Sequence, residues 1–202
     1  MGMLDWLSPR NEIVLQGDGV TLRSPRLSDH AEWAKVREAS RAFLQPWEPT
    51  WPEDDLTRLA FRRRIEAYDR ELAEGQGVAL AIREARENRL VGLIRMHNIR
   101  RGVADTASLG YWVGEPFARR GYGLAAVRAV TSFAFGPYRL SRLEAQCLPD
   151  NEPSRRLLLK AGFSEEGYAR AYLKINGDWR DHRLFGLVSR ARASESPDNA
   201  GT

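Results

Sequence analysis

A single cysteine, Cys147, is all the thiol chemistry this 202-residue chain carries, and lysine is almost as scarce. Of 31 basic residues only Lys35, Lys160 and Lys174 are lysine; the rest are arginine. One cysteine excludes an internal disulfide and suits a reducing compartment, so the cytoplasm is expected. Histidine is limited to His30, His97 and His182, scattered without ligand spacing, and no metal site is expected. No apolar run approaches the ~20 residues of a membrane-spanning helix, so no membrane partner is expected. The opening Met-Gly-Met-Leu-Asp-Trp has no basic stretch ahead of an apolar one, and no secretory leader is expected. Trp6 stands where a myristoylation signal needs Ser or Thr.

What is present is an ordinary globular composition, 43% hydrophobic and 29% charged with a net charge of +4. The length suits one domain with a sizeable core. Ala191 to Thr202 lacks large apolar residues, so a single domain over 1–190 and a disordered tail over 191–202 are expected. Arginine pairs and triplets at Arg62-Arg63-Arg64, Arg100-Arg101 and Arg119-Arg120 are candidates for phosphate or ribosomal RNA. The first lies in a helical pattern beside Glu66 and Asp69, as an ordinary solvated face does. Charge alone does not make this a nucleic-acid-binding protein.

The most informative stretch is Gly110 to Ala126, which predicts a strand, a short loop and a glycine turn opening a helix. From Arg120 it spells Arg-x-x-Gly-x-Ala. Glycines permit close backbone approach and positive φ, and first-turn N–H groups then converge where a phosphate or pyrophosphate can bind. Gly121-x-Gly123-x-x-Ala126, with Glu144 some way on, also fits a dinucleotide fingerprint. That fingerprint wants its first glycine at the strand end, and too little chain follows Glu144 for a second half of a doubly wound domain.

Strands are predicted at 20–23, 78–83, 90–99, 108–113 and 142–147, with a closing hairpin over 168–175 and 179–189 turned by Asn176-Gly177. Helices are predicted from Ser28 or Asp29 to Ala39, from Asp54 or Asp55 to Ala73, from the glycine turn to Phe135 with Leu124, Val127, Thr131 and Ala134 as the buried stripe, and from Asn151 to Gly162. Phe43 to Pro52 is a proline- and tryptophan-rich loop. The order β-α-α-β-β-β-α-β-α-β-β makes a mixed α/β layer.

That order, with Arg120 to Ala125 followed by Asn151 to Phe163, resembles the GNAT acetyltransferases over nearly the whole chain. The resemblance implies an α/β fold with a mixed, mostly antiparallel sheet flanked by helices. Phe43-Leu44-Gln45-Pro46-Trp47-Glu48-Pro49, Leu109-Gly110-Tyr111, Gly162-Phe163 with Glu166 to Ala169, and Tyr172 to His182 narrow it to the RimJ/RimL ribosomal-protein N-terminal acetyltransferases, on the RimJ side. This implies acetyl-CoA as donor, no metal, and the N-terminal amine of a ribosomal protein, typically alanine, as acceptor, with possible ribosome contact and the oligomeric state open. A small-amine acetyltransferase and a ribosome- or RNA-binding module with vestigial acetyl-CoA binding are the alternatives.

Attack of an amine on a thioester needs a held donor, a neutral amine, stabilisation of the carbonyl oxygen and a proton for the leaving thiolate. By resemblance, Arg120, Gly121, Tyr122, Gly123, Leu124 and Ala125 hold the pyrophosphate. N–H groups of Tyr111, Trp112 and Val113 then hold pantetheine and polarise the carbonyl. Asn151 is either a helix cap or a pantetheine ligand. Ser154, one turn in, is the thiolate's proton donor, since Leu158 stands where many members place a tyrosine. The RimL-type glutamate position is Leu173 here, so Glu48 is the leading base, with Glu144 and Asp181 behind it. Glu48, Glu53, Asp54 and Asp55 would form an acidic rim that attracts a cationic N-terminus. Trp47 and Trp51 either wall a pocket or pack.

Overall fold

The computed structural model describes residues 13–189, and the tail expected over 191–202 lies outside them. Among the described residues eight strands form one sheet: β1 (Val14–Gly17), β2 (Val20–Arg23), β3 (Val78–Glu84), β4 (Leu90–Arg100), β5 (Thr106–Val113), β6 (Arg142–Cys147), β7 (Ser164–Ile175) and β8 (Asp178–Val188). Their order is β1-β2-β3-β4-β5-β6-β8-β7. Every neighbouring pair is antiparallel except β5 with β6, joined by the crossover helix α4 (Tyr122–Phe135). On α4's face lies the main core, with Leu80, Ile94, Leu109, Val127, Leu143 and Phe185. The opposite face is covered by α1 (His30–Ala39) and α3 (Arg58–Ala73), where Trp33 and Phe61 pack on Ala81 and Leu90.

The expected elements are found, with four differences. β1 is an additional edge strand whose residues alternate between exposed and half-buried, too short and too exposed to show a hydrophobic period. The tryptophan-rich loop is partly helical: α2 (Arg41–Leu44) runs into a 3-10 turn at Gln45–Trp47, where Pro46 is tolerated at the first positions. α3 starts later than the acids suggest, because Thr57 rather than Asp54 or Asp55 caps it, accepting from the Ala60 N–H at 3.2 Å. In α4, Leu124 and Thr131 are half-buried, while Gly123, Ala126 and Val130 are buried with Val127 and Ala134. The small residues turn inward because they let the helix axis approach the sheet.

The Asn176-Gly177 turn joins β7 to β8 with positive φ at both residues, 46° and 92°, the condition that selects Asn-Gly in two-residue hairpins. α5 (Glu152–Lys160) follows β6 and packs beside α4.

Candidate active site

The sheet opens at its centre. β5 and β6 pair only from Thr106↔Arg142 to Leu109↔Ala145, and Gly110 to Val113 run on without a partner on that side. The Gly114 N–H donates to Val91 O at 2.8 Å, on the β4 side. Strand alternation therefore turns the N–H groups of Val113 and Tyr111 to the open edge and that of Trp112 to β4. Two of the three expected strand amides face the slot; the third is directed at the neighbouring strand.

The glycine turn stands at the end of this slot. Arg119 and Gly121 take positive φ, 60° and 86°, and a methyl group at Gly121 would meet nothing within 4 Å. Gly121 serves the backbone turn and leaves open space before α4, where first-turn N–H groups have no helical partner. Gly123 serves packing: a Cβ there would lie 2.9 Å from Leu157 Cδ1 and 3.5 Å from Val113 Cγ2. Arg120 is exposed beside Phe117, its guanidinium 6.0 Å from the ring. The Tyr122 hydroxyl donates to Glu84 Oε1 at 3.0 Å, tying the turn to β3, so Tyr122 offers a ligand its backbone. These residues fit a diphosphate-bearing donor. They do not fit a dinucleotide crevice, because the sheet is mostly antiparallel and Glu144 pairs with Arg100 and Arg142 on β6.

Asn151 Oδ1 accepts the Ser154 N–H at 3.1 Å, so its side-chain carbonyl caps α5. That cap fixes Ser154, whose Oγ lies 2.9 Å from the Tyr111 hydroxyl. Burial pushes the Tyr111 phenol well above the usual tyrosine range. Burial likewise pushes the Cys147 thiol up to about 11, the Ser154 hydroxyl beside it pulling the other way. Tyr111, expected only as a backbone ligand, thus adds its phenol to the site. No local pattern shows this, because the tertiary fold sets α5 beside the unpaired end of β5 and so brings together residues 43 apart. Leu158 is buried in the core.

On the opposite face, Glu48 is held rather than free. Arg37 Nη1 donates to its Oε1 at 2.9 Å, and Trp51 Nε1 donates to its Oε2 at 2.8 Å. Arg37 Nη2 lies 2.8 Å from Oε2, making the pair two-pronged. The Glu48 backbone O also accepts the Asn176 N–H at 2.9 Å, fastening the loop to the closing hairpin. Arg37 is buried, its guanidinium 3.8 Å from the Trp51 ring centre and 5.0 Å from that of Trp112. With both oxygens engaged, Glu48 is an anchor for the loop more than a base.

The acidic rim is largely neutralised: Asp54 pairs with Arg63, and Asp55 is buried against Arg64 at 2.5 Å. Trp51 packs, as its burial beneath Arg37 shows. Arg64 lies 5.3 Å from the Trp33 ring, so the arginine triplet is only partly a solvated face. Asp181 accepts from the Ala171 N–H and the Tyr168 hydroxyl, both at 2.8 Å, and these bonds hold its carboxyl low. It pins the irregularity in β7 where Ala171 takes φ 46°. Leu173 is exposed on the same strand, opposite Arg180. Among the described residues no group of three His, Cys, Asp or Glu could hold a metal, and no helix is long and apolar enough to cross a membrane.

A split sheet with a glycine turn at the slot's end and a hydroxyl pair beside it is the arrangement of an acyl-CoA-dependent acyltransferase. Residues 20–164 match the acetyltransferase (GNAT) domain, and the chain belongs to that family. It is an N-acetyltransferase that uses acetyl-CoA. Among its relatives is a protein of Bacillus subtilis named "Probable N-acetyltransferase YjcK", 32% identical, with 87% of this chain and 97% of that one covered. Another is the [ribosomal protein uS5]-alanine N-acetyltransferase of Escherichia coli, 28% identical over 93% of this chain and 96% of that one. The solved structure of Mycobacterium smegmatis RimJ in complex with CoA-disulfide superposes with a TM-score of 0.82 at 30% identity, covering 92% of this chain and 88% of that one. The homologues and structural neighbours include ribosomal-protein acetyltransferases of the RimJ/RimL kind.

Proposed function

We propose that this enzyme acetylates the N-terminal α-amine of a protein, with alanine of a ribosomal protein in the cytoplasm as the acceptor. The observation that carries the proposal is the two-sided slot at Gly110–Val113. Tyr111 and Ser154 stand on one face, and the loop clamped to the hairpin through Glu48 and Asn176 borders the other. The alanine specificity of the Escherichia coli relative supports the acceptor.

The chemistry of the site agrees. Acetyl-CoA supplies an activated acetyl thioester. The Arg120 side chain and the amides of Gly121 to Leu124 bind its diphosphate, the expected Ala125 amide being spent on Gly121 O at 3.0 Å, and the Tyr111 and Val113 amides stabilise charge on the carbonyl oxygen. Ser154, hydrogen-bonded to Tyr111, gives its proton to the departing sulfur. Acceptor choice follows from ionisation: an α-amine titrates near 7.7–8.0 and is partly neutral at pH 7, whereas a lysine near 10.4 is almost wholly charged. Glu48 shapes the acceptor's entry through the loop it anchors.

A small-amine acceptor is the second reading, favoured by the neutralised rim, which leaves little charge to select a basic peptide. The test is acetyl-CoA consumption by purified protein with Ala-starting basic peptides, N-blocked lysine peptides and polyamines. Turnover restricted to free Ala-starting peptides is expected. Preference for polyamines would overturn the ribosomal acceptor, and binding of acetyl-CoA without turnover of any amine would favour a ribosome- or RNA-binding role.

A further inference from the structure

Gly110 has no conformational reason to be glycine. Its φ is not positive, and a Cβ in its place would meet a single neighbour, His97 Nε2, at an ordinary 3.8 Å. The missing side chain relieves no collision; it leaves a notch over β5. Gly110 is the first residue past the end of β5–β6 pairing and the one before Tyr111, whose amide faces the slot. The notch opens on the face of α1 and α3. Arg95, paired in register with Gly110, reaches Glu71 of α3, and Trp112 lies under Arg37 of α1. A thioester along the Tyr111–Val113 edge is therefore reachable from the face opposite Tyr111 and Ser154.

His97 walls this notch from β4, where it pairs with Ser108 and is half-buried. Burial and the nearby Arg95 cation hold its imidazole below the usual histidine value, while Asn98 and Glu71 pull it upward. The charged groups facing it, Arg95 and Glu71, are paired with each other at 2.5 Å. A neutral imidazole at pH 7 is a proton acceptor.

We propose that the notch above Gly110 admits the acceptor amine and that His97 Nε2 is the general base that takes its proton. The inference rests on the N-acetyltransferase reading of the slot. The amine nitrogen bonds the carbonyl carbon and the C–S bond breaks. The thiolate takes a proton from the Ser154–Tyr111 pair, and the proton left on His97 returns through water to that pair. One amine and one thioester yield one amide and one thiol, with no further reactant.

The test uses His97→Asn and Gly110→Ala, each assayed with whichever amine of the peptide and polyamine panel the parent enzyme turns over fastest. His97→Asn is expected to lower kcat about 100-fold with the KM for acetyl-CoA and the thermal midpoint unchanged. It should also abolish the decline of kcat on the acid side, which in the parent reports protonation of His97 below the ordinary histidine range. Gly110→Ala should raise the acceptor KM and leave that for acetyl-CoA alone. If His97→Asn lowers the thermal midpoint, His97→Gln provides the second comparison. A variant that keeps both kcat and the acid-side decline overturns the assignment. Loss of alanine preference in the parent counts against the proposed acceptor, whereas an unimpaired variant counts against His97.

Discussion

The Tyr111 and Ser154 hydroxyls meet at 2.9 Å and act as one donor in the proposed mechanism, so their deletions should not add. Ser154→Ala and Tyr111→Phe are each expected to reduce kcat by roughly 10- to 100-fold, and the double variant little further. Acetyl-CoA affinity, measured by calorimetry, should stay within about twofold, because the diphosphate turn is untouched. A large loss of affinity with kcat preserved would make Ser154 a binding residue. Cys147 supplies a pH test of the same corner. With its thiol raised to about 11, only the thiolate that forms as pH rises toward that value can react. Alkylation of the native protein should be slow at pH 8 and accelerate steeply above pH 10, whereas the unfolded chain should react readily at pH 8–9.

At the scale of elements, the two glycines of the turn do different work and should fail differently. Gly121→Ala places a methyl in open space but forces an alanine to φ 86°, costing on the order of 1–2 kcal/mol by strain. Gly123→Ala puts a Cβ 2.9 Å from Leu157 Cδ1, pushing α5 away from α4 at a cost of about 1–3 kcal/mol. Denaturant unfolding measures both. Only Gly123→Ala should also lower kcat, because α5 carries Ser154. The order of most elements was legible because their signals are local: alternation in β6, Asn-Gly in the last hairpin, an Asn cap on α5. β1 and the helical part of the tryptophan loop were not legible. A half-exposed edge strand has no clear period, and one turn of helix beside proline depends on its surroundings.

For the whole molecule, Arg37 joins parts distant in sequence: α1 through its backbone, the 45–52 loop through Glu48, the start of α3 through Asp55 at 3.9 Å, and β5 through Trp112. Arg37→Met leaves the Glu48 carboxylate in place without its cation, while Asp55 keeps Arg64. It should cost about 3–5 kcal/mol by urea unfolding and raise the acceptor KM while sparing acetyl-CoA binding. An unchanged acceptor KM would remove the loop from the acceptor's path.

Sequence by itself determined the family and singled out the glycine turn and the candidate residues Ser154 and Asn151, since glycine spacing and helix caps are short-range features. Only the tertiary structure decided which side chains meet. It brought Tyr111 onto Ser154, committed Glu48 to Arg37 and Trp51, and set His97 beside the empty position at Gly110. A residue type states what chemistry a side chain can do. Whether a carboxylate or an imidazole is free to do it depends on partners that strand pairing and helix packing bring from distant parts of the chain.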